Sequence, residues 1–157
     1  MVAGAYERAR PGYPVEAALW LTGELPLRVV DLGAGTGKLT RALAALGHDV
    51  IAVEPFEEML DQLRANVPGV EAVTGSAEQI PLADESADAI VVGQAFHWFD
   101  QAVALREMAR VLRPGGVVGF IWNARDDAEP WVARLSELTG DNAEWSDDIP
   151  EPLAAST

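Results

Sequence analysis

The sequence predicts an α/β fold in which a mostly parallel sheet carries helices on both of its faces. Short, almost wholly apolar runs alternate along the chain with longer helix-forming segments. Strands that are apolar on both faces are typical of parallel sheets covered on each side by helices. Apolar residues make up 49% of the 157-residue chain, which is enough for the core of one domain.

Composition narrows the function classes. The chain has 25 acidic against 11 basic residues and a formal charge of −14, which argues against nucleic acid or an anionic membrane as a partner. The absence of cysteine excludes a thiolate nucleophile and a cysteine-ligated zinc site, and we predict no metal site. No apolar run is long enough to span a membrane, so we expect a cytoplasmic protein.

Two strand–helix pairs begin the alternation. Residues 28–32 are an apolar run that ends in glycines, which predicts a buried strand. Residues 38–46 are rich in helix formers and end at Gly47, a residue typical of the position after a helix. The β-branched run at 50–53 predicts a second strand, and the amphipathic segment 57–65 predicts a second helix.

The pattern continues through the second half of the chain. Further strands are predicted at residues 70–74, 89–92 and 117–122. A helix is predicted at 101–112, with Asp100 as its N-cap and Pro114 and Gly115 closing it. A last helix is predicted at 130–139. Ligands of open parallel sheets bind at the carboxyl ends of the strands, so the residues that follow each strand are the candidates for chemistry.

Two of those positions form a nucleotide-like pattern. Gly33, Gly35 and Gly37 follow the first strand with the spacing G-x-G-x-G, which lets backbone N–H groups approach a ligand. Glu54 ends the second strand, where a carboxylate can accept hydrogen bonds from both ribose hydroxyls. The alternatives are a plain tight turn and a solvated glutamate that opens the next helix. The two features together fit NAD or S-adenosylmethionine.

Four segments in order resemble the class I S-adenosylmethionine-dependent methyltransferases. Residues 30–37 resemble motif I, 53–55 the acid that follows it, 75–81 the adenine-side loop and 112–116 the turn before the fifth strand. The nearest branch is the type 11 methyltransferases, which often share the Tyr-x-x-x-Arg-Pro-x-Tyr-Pro pattern found at 6–14. The resemblance implies a Rossmann-like sheet, S-adenosylmethionine as cofactor, S-adenosylhomocysteine as product and a small-molecule methyl acceptor.

The resemblance also implies roles for individual residues. Asp31 would orient the glycine loop or meet the amino group of the methionine moiety, Glu54 would hold the ribose, and Phe56 would lie along the adenine. Serine at position 76, where aspartate is common in the family, weakens the expected contact with the adenine amino group. The cofactor-binding residues that the resemblance implies are Tyr6, Asp31, Gly33, Ala34, Gly35, Gly37, Glu54, Pro55, Met59, Ser76, Ala77, Glu78 and Gln94.

The segment after the fourth strand would border the transferred methyl group. The resemblance implies that Tyr13, Phe96 and Trp98 contact the acceptor, and His97 is the candidate general base. Two alternatives stay open: His97 packs as a structural histidine, and the aromatic residues belong to the core. His48 is interpreted as structural. In the N-terminal segment, Arg8 or Arg10 would meet an acceptor carboxylate, or both are solvated.

The resemblance implies a methyltransferase-like domain at 1–140 with an N-terminal lid at 1–14, and the acidic composition without periodicity predicts a tail at 141–157. Complete members of the family have further strands, so here the fifth strand would be left at an edge of the sheet. The chain is then a fragment, or a second copy covers that edge in a homodimer, or the tail shields it.

The leading hypothesis is a methyltransferase. The alternatives are a non-catalytic S-adenosylmethionine-binding module or incomplete methyltransferase domain, and an NAD-binding oxidoreductase domain.

Overall fold

Five parallel strands form one sheet in the order β3-β2-β1-β4-β5 in the computed structural model, which describes residues 12–124, 126 and 128–139. The strands are β1 (Arg28–Leu32), β2 (Asp49–Glu54), β3 (Glu71–Thr74), β4 (Ala87–Gly93) and β5 (Leu112–Ile121). The helices are α1 (Val15–Thr22), α2 (Lys38–Ala45), α3 (Glu57–Asn66), α4 (Gln101–Val111) and α5 (Pro130–Thr139). The predicted fold class is confirmed.

The two faces of the sheet are covered by different helices, because side chains alternate along each strand. One face packs against α4 through Val30, Leu32, Ile51, Val53, Ile90, Val92, Ala104, Met108 and Val111. The opposite face packs against α1 and α2 through Ala18, Val29, Leu39, Leu43, Val50, Ala89 and Val91. Every strand in the middle of the sheet is therefore buried on both sides, which explains the unbroken apolar runs in the sequence.

Helix α1 was not predicted. Its sequence, Val15–Thr22, lacks a clear polar face: Ala18 is fully buried, whereas Trp20 on the same helix is 85% exposed. The helix is held by tertiary contacts instead. A side chain at Gly119 would lie 2.9 Å from Leu21 Cδ2, so the glycine lets α1 approach β5 closely.

The fifth strand begins earlier than the sequence predicts. Ala87 pairs with Leu112 and Ala89 pairs with Val117, so the register shifts between these pairs. The Pro-Gly-Gly segment, interpreted as a turn before the strand, is accommodated inside it as an irregularity, and Gly115 adopts a φ of 83°. The predicted N-cap of α4 is confirmed, because the Asp100 side chain accepts a hydrogen bond from the Val103 N–H at 3.2 Å.

His48 connects α1 to the start of the sheet. The Leu27 N–H donates to His48 Nδ1 at 3.2 Å, so Nδ1 is an acceptor and the ring is neutral with its proton on Nε2. Nε2 lies 2.8 Å from the Thr22 hydroxyl, which in turn donates to the Ala18 carbonyl. Burial lowers the pKa of His48. These contacts agree with the structural role predicted for this residue.

The chain divides into two compact units, residues 1–122 and residues 123–157. The second unit contains α5, the helix predicted at 130–139, in which Arg134 donates to Glu137 at 2.6 Å. The predicted tail at 141–157 and most of the predicted lid, including Tyr6, Arg8 and Arg10, lie outside the described residues. Across the part of the chain that the structure describes, no helix is long and apolar enough to cross a membrane.

Candidate functional site

The glycine loop joins β1 to α2 at the carboxyl edge of the sheet. Gly33, Gly35 and Gly37 all adopt positive φ, of 74°, 55° and 87°. A Cβ at Gly33 would lie 2.7 Å from Ala95 Cβ, and one at Gly37 would lie 2.9 Å from Leu63 Cγ. A Cβ at Gly35 would meet nothing within 4 Å. Packing therefore requires the two outer glycines, whereas the middle one faces open space where a ligand can approach its backbone.

Asp31 lies beneath this loop with 1% of its surface exposed. Its Oδ2 accepts a hydrogen bond from the Thr40 hydroxyl at 2.6 Å. Burial raises the pKa of Asp31 to about 7, although hydrogen bonds from Thr40 partly oppose that rise, and the nearby Glu54 carboxylate adds to it. Asp31 can therefore gain or lose a proton near neutral pH. Sequence reasoning missed Thr40, because no local pattern connects a helix residue to an aspartate nine positions earlier.

Glu54 ends β2 beside the glycine loop and is 6% exposed. Its Oε2 accepts a hydrogen bond from the Gly35 N–H at 2.9 Å, and its Oε1 accepts one from the Phe56 N–H at 3.2 Å. Burial raises the pKa of Glu54, and the two N–H donors oppose that rise. A carboxylate offers about four lone-pair positions, so two backbone bonds leave it able to accept bonds from a ligand.

A cleft above the loop brings several predicted residues together. Its walls are Tyr13, Asp31, Gly33, Ala34, Gly35, Thr36, Lys38, Leu39, Gly93 and Gln94. Tyr13, predicted on the acceptor side, lies here over Gly93, where an added Cβ would approach the tyrosine hydroxyl to 2.8 Å. Gln94 adopts a positive φ of 55°. Sequence reasoning missed Lys38, the only lysine of the chain, as part of this cleft.

The adenine-side loop predicted from the resemblance lies outside this cleft. Ser76 lines a second groove with Ile80, Pro81 and Arg110. Ala77 is buried at 3% exposure and packs in the core, so its side chain does not face solvent. Of the residues after β2, Phe56 is 67% exposed, Pro55 is exposed and Met59 is half-buried.

The aromatic segment after β4 forms a short 3₁₀ turn, Phe96–Trp98, that separates its members. Phe96 is half-buried against Phe120, with ring centroids 4.5 Å apart, and packs edge-on to Phe99 at 6.1 Å. Trp98 is 80% exposed, and its ring lies 4.8 Å from that of the exposed His97. The structure therefore places Phe96 with the core residues and leaves His97 and Trp98 at the surface.

The site offers hydrogen-bond donors and carboxylates. Among the described residues, no three histidine, aspartate or glutamate side chains come close enough to hold a metal ion. Three features of the site suit a nucleoside that carries polar groups at both ends. They are the backbone N–H groups of the glycine turn, the carboxylate at the end of β2 and the buried acid near the end of β1.

Comparison with known proteins identifies the family. A model of the methyltransferase domain family matches residues 30–120. An uncharacterised methyltransferase of Mycobacterium bovis is 54% identical over 153 residues, covering 96% of this chain and 63% of the relative. A malonyl-[acyl-carrier protein] O-methyltransferase of Methylococcus capsulatus is 43% identical over 104 residues, covering 62% of this chain and 38% of that protein.

A solved structure points to the same family as the two relatives. It is that of a protein from Anaeromyxobacter dehalogenans assigned as a type II methyltransferase, which is 32% identical to this chain. The match has a TM-score of 0.70 and covers 84% of this chain and 59% of that one. This chain spans about 63% of the length of the mycobacterial relative. The family model matches more than half of the chain, including the glycine loop and Glu54, so the chain belongs to the methyltransferase domain family, in the type 11 branch that its motifs resemble.

Proposed function

We propose that this chain binds S-adenosylmethionine and transfers its methyl group to a small molecule. The observation that carries the proposal is the pairing of Glu54 with the glycine loop. Its carboxylate is held by the Gly35 N–H at 2.9 Å, beside the one loop glycine that faces open space. That arrangement suits a ribose whose hydroxyls donate to Glu54.

The proposal extends to the other cofactor contacts that the family resemblance implies. Asp31 would meet the amino group of the methionine moiety, because it is a buried carboxyl that also lines the cleft. Gly33, Ala34, Gly37, Gln94 and Tyr13 would surround the same end. Pro55, Phe56 and Met59 would cover the adenine from the exposed side, with the loop of Ser76, Ala77 and Glu78 at its edge. Tyr6 keeps its predicted role as a closing residue.

S-adenosylmethionine supplies a methyl group on a positively charged sulfur, which any well-aligned nucleophile can accept. The chain's own contribution is to align the two partners and to exclude water, which accounts for much of the rate in such transfers. The exposed ring of Trp98 offers a face for an acceptor or for a sulfonium. His97, next to it, would accept the proton that a hydroxyl or carbon nucleophile releases.

The proposed acceptor is a small molecule rather than a polyanion, because the chain's charge of −14 disfavours approach of a highly negative partner. The relative from Methylococcus capsulatus methylates a carrier-bound malonyl group, so carboxylates belong in the acceptor panel beside alcohols, amines and carbon acids. A cytoplasmic location remains a prediction from the sequence.

The test is transfer from S-adenosylmethionine that carries a labelled methyl group, in the presence of fractionated small molecules and, separately, protein fractions. We expect label in a small-molecule product. Label that enters only the protein fraction would contradict the proposed acceptor class. Binding of the cofactor without any transfer would favour the alternative, a non-catalytic or incomplete domain, which the chain's 63% coverage of its mycobacterial relative motivates.

The outer edge of β5 gives a second, structural proposal. Val117 is half-exposed on this strand, which has a partner only on the β4 side among the described strands. We propose that a second copy of the chain covers the edge. Analytical ultracentrifugation tests this: wild type should sediment as a dimer and Val117→Lys as a monomer, whereas a monomeric wild type would contradict the proposal.

A further inference from the structure

Arg110 and Glu107 in the last turns of α4 form an unusually complete hydrogen-bonded pair. Arg110 Nε donates to Glu107 Oε1 at 2.9 Å and Nη2 donates to Glu107 Oε2 at 2.8 Å, which is the two-pronged geometry of a strong ion pair. The guanidinium also donates to residues outside the helix. Nη2 donates to the Ile80 carbonyl at 2.9 Å, and Nη1 donates to the Leu82 carbonyl at 2.8 Å and to Asp84 at 2.7 Å.

The pair holds one residue by both of its backbone groups. Ile80 donates its N–H to Glu107 Oε2 at 3.0 Å, and its carbonyl accepts from Arg110. The Ile80 side chain is only 2% exposed and packs in the core next to α4. The backbone at Ile80 therefore cannot shift without breaking bonds to both members of the pair.

Ile80 directly follows the loop at 75–79, and the two ends of this loop are packed together. A Cβ on Gly75 would lie 2.5 Å from Pro81 Cδ, and the Gly75 N–H donates to the Glu54 carbonyl at 3.3 Å. Ser76 and Gln79 are bridged across the loop. A displacement at Ile80 or Pro81 would therefore pass directly to Gly75, which is bonded to the backbone carbonyl of Glu54, and to Ser76 beside it.

The other end of α4 contacts the same loop. The Asp100 N–H donates to Glu78 Oε1 at 2.9 Å, and Asp100 also caps the helix. The start of helix α4 therefore contacts the loop at Glu78, and its last turns hold Ile80, the residue that follows the loop. Most exposed ion pairs contribute little to stability, but here both members also bond to the backbone of Ile80, which directly follows the loop.

We propose that Arg110 and Glu107 are positioning residues for cofactor binding: they fix the loop at 75–79 so that it can receive the adenine. The proposal rests on the proposed function, and neither residue is among the walls of the cleft above the glycine loop. It predicts that loss of the pair weakens binding of the adenosine end of the cofactor, rather than only lowering the stability of the fold.

The experiment compares Arg110→Gln with Arg113→Gln. Arg113 pairs with Asp88, which also accepts from the Arg28 N–H, at the opposite end of the sheet from the site. Affinities for S-adenosylhomocysteine and for methylthioadenosine, which lacks the amino-acid end, are measured by calorimetry at a temperature where urea titration shows each variant folded. Glu107→Gln, which keeps one acceptor for the guanidinium, replaces Arg110→Gln if the latter does not fold.

We expect Arg110→Gln to weaken the binding of both ligands by a similar factor of about tenfold or more. Arg113→Gln should change either affinity by less than about twofold. Amide hydrogen exchange at 75–80 should become faster in Arg110→Gln only. Unchanged affinities in a folded Arg110→Gln or Glu107→Gln, while wild type binds, would overturn this inference alone. A folded wild type that binds neither ligand would overturn the proposed function and the positioning role together.

Discussion

The carboxylate of Glu54 and the backbone N–H of Gly35 lie 2.9 Å apart in a hydrogen bond that ties the end of β2 to the centre of the glycine loop. Gly35 is the loop glycine with open space before it, and Glu54 is almost fully buried. A buried carboxylate with spare lone pairs, fixed beside an approachable backbone, is arranged to bind a ligand. It also makes the loop's shape depend on Glu54.

Glu54→Gln should weaken the binding of S-adenosylhomocysteine by about tenfold to a hundredfold, because hydrogen bonds to a charged acceptor contribute roughly 1.5–3 kcal/mol. The amide can accept on only one side, so it cannot replace both oxygens. Glu71→Gln is the matched control, because Glu71 begins β3 at the end of the strand away from Glu54, and it should leave the affinity unchanged. Equal affinities for the Glu54 variant and the control would show that Glu54 serves only the loop.

Asp31→Asn should stabilise the fold most above neutral pH. The folded-state pKa of Asp31 is raised from 3.8 to about 7. Between these values the folded chain holds a proton that the unfolded chain has lost, so Asp31's contribution to the free energy of unfolding falls as pH rises through this window. At about 1.4 kcal/mol per pH unit, the upper bound of the gain in Asp31→Asn is roughly 4 kcal/mol.

Urea titrations of wild type and Asp31→Asn at pH 5, 6, 7 and 8 check this expectation. The difference in unfolding free energy should grow with pH and level off above neutrality. Asp49→Asn, an exposed aspartate at the start of β2, should show no such growth. A difference between Asp31→Asn and wild type that is constant with pH would mean that Asp31 is ionised throughout this range.

Acid should weaken the contribution that His48 makes to the stability of the fold. The pKa of His48 is lowered by burial, so its stabilising contribution is present above the unfolded value near 6.5 and is lost as pH falls toward the folded value. His48→Gln should therefore destabilise the fold more at pH 7.5 than at pH 5.5, when each is compared with wild type. His97→Gln, at an exposed position, is the control and should have little effect at either pH. A pH-independent effect of His48→Gln would contradict the neutral ring.

Alanine at the glycines of the loop should separate stability from binding. Gly35→Ala puts a side chain into open space at a φ of 55°, so it should cost the fold only about 1–2 kcal/mol of backbone strain while abolishing ligand binding. Gly37→Ala adds an approach of 2.9 Å to Leu63 and should destabilise the fold further. Thermal unfolding and calorimetry of the two variants measure these effects. Retained binding in Gly35→Ala would place the ligand elsewhere.

Most of the sheet could be predicted because buried strands leave a clear signal. The apolar runs of β1, β2 and β4 end within two residues of the predicted limits, and the glycine spacing marks the loop that follows β1. Helix α1 gives no such signal, since its apolar residues surround the helix, and contacts with distant segments hold it in place. The Pro-Gly-Gly segment is typical of a turn, and only pairing with β4 shows that β5 continues through it.

The candidate site was predictable where residues follow strands and not where distant segments meet. Asp31 and Glu54 could be selected from their positions at strand ends. Thr40 and Arg110 act through contacts with residues 9 and about 30 positions away, which no local pattern records. Phe96 and Trp98 are neighbours in sequence, but the 3₁₀ turn directs one toward the core and the other toward solvent.

The most direct test of the central claim is a calorimetric titration of the folded chain with S-adenosylhomocysteine, with NAD as the matched control ligand. The ligands share an adenosine, but only the former carries an amino-acid end to meet Asp31. We predict micromolar binding of S-adenosylhomocysteine and no detectable binding of NAD. Binding of NAD in preference, or binding of neither ligand by a chain shown to be folded, would contradict the proposal that this cleft is an S-adenosylmethionine site.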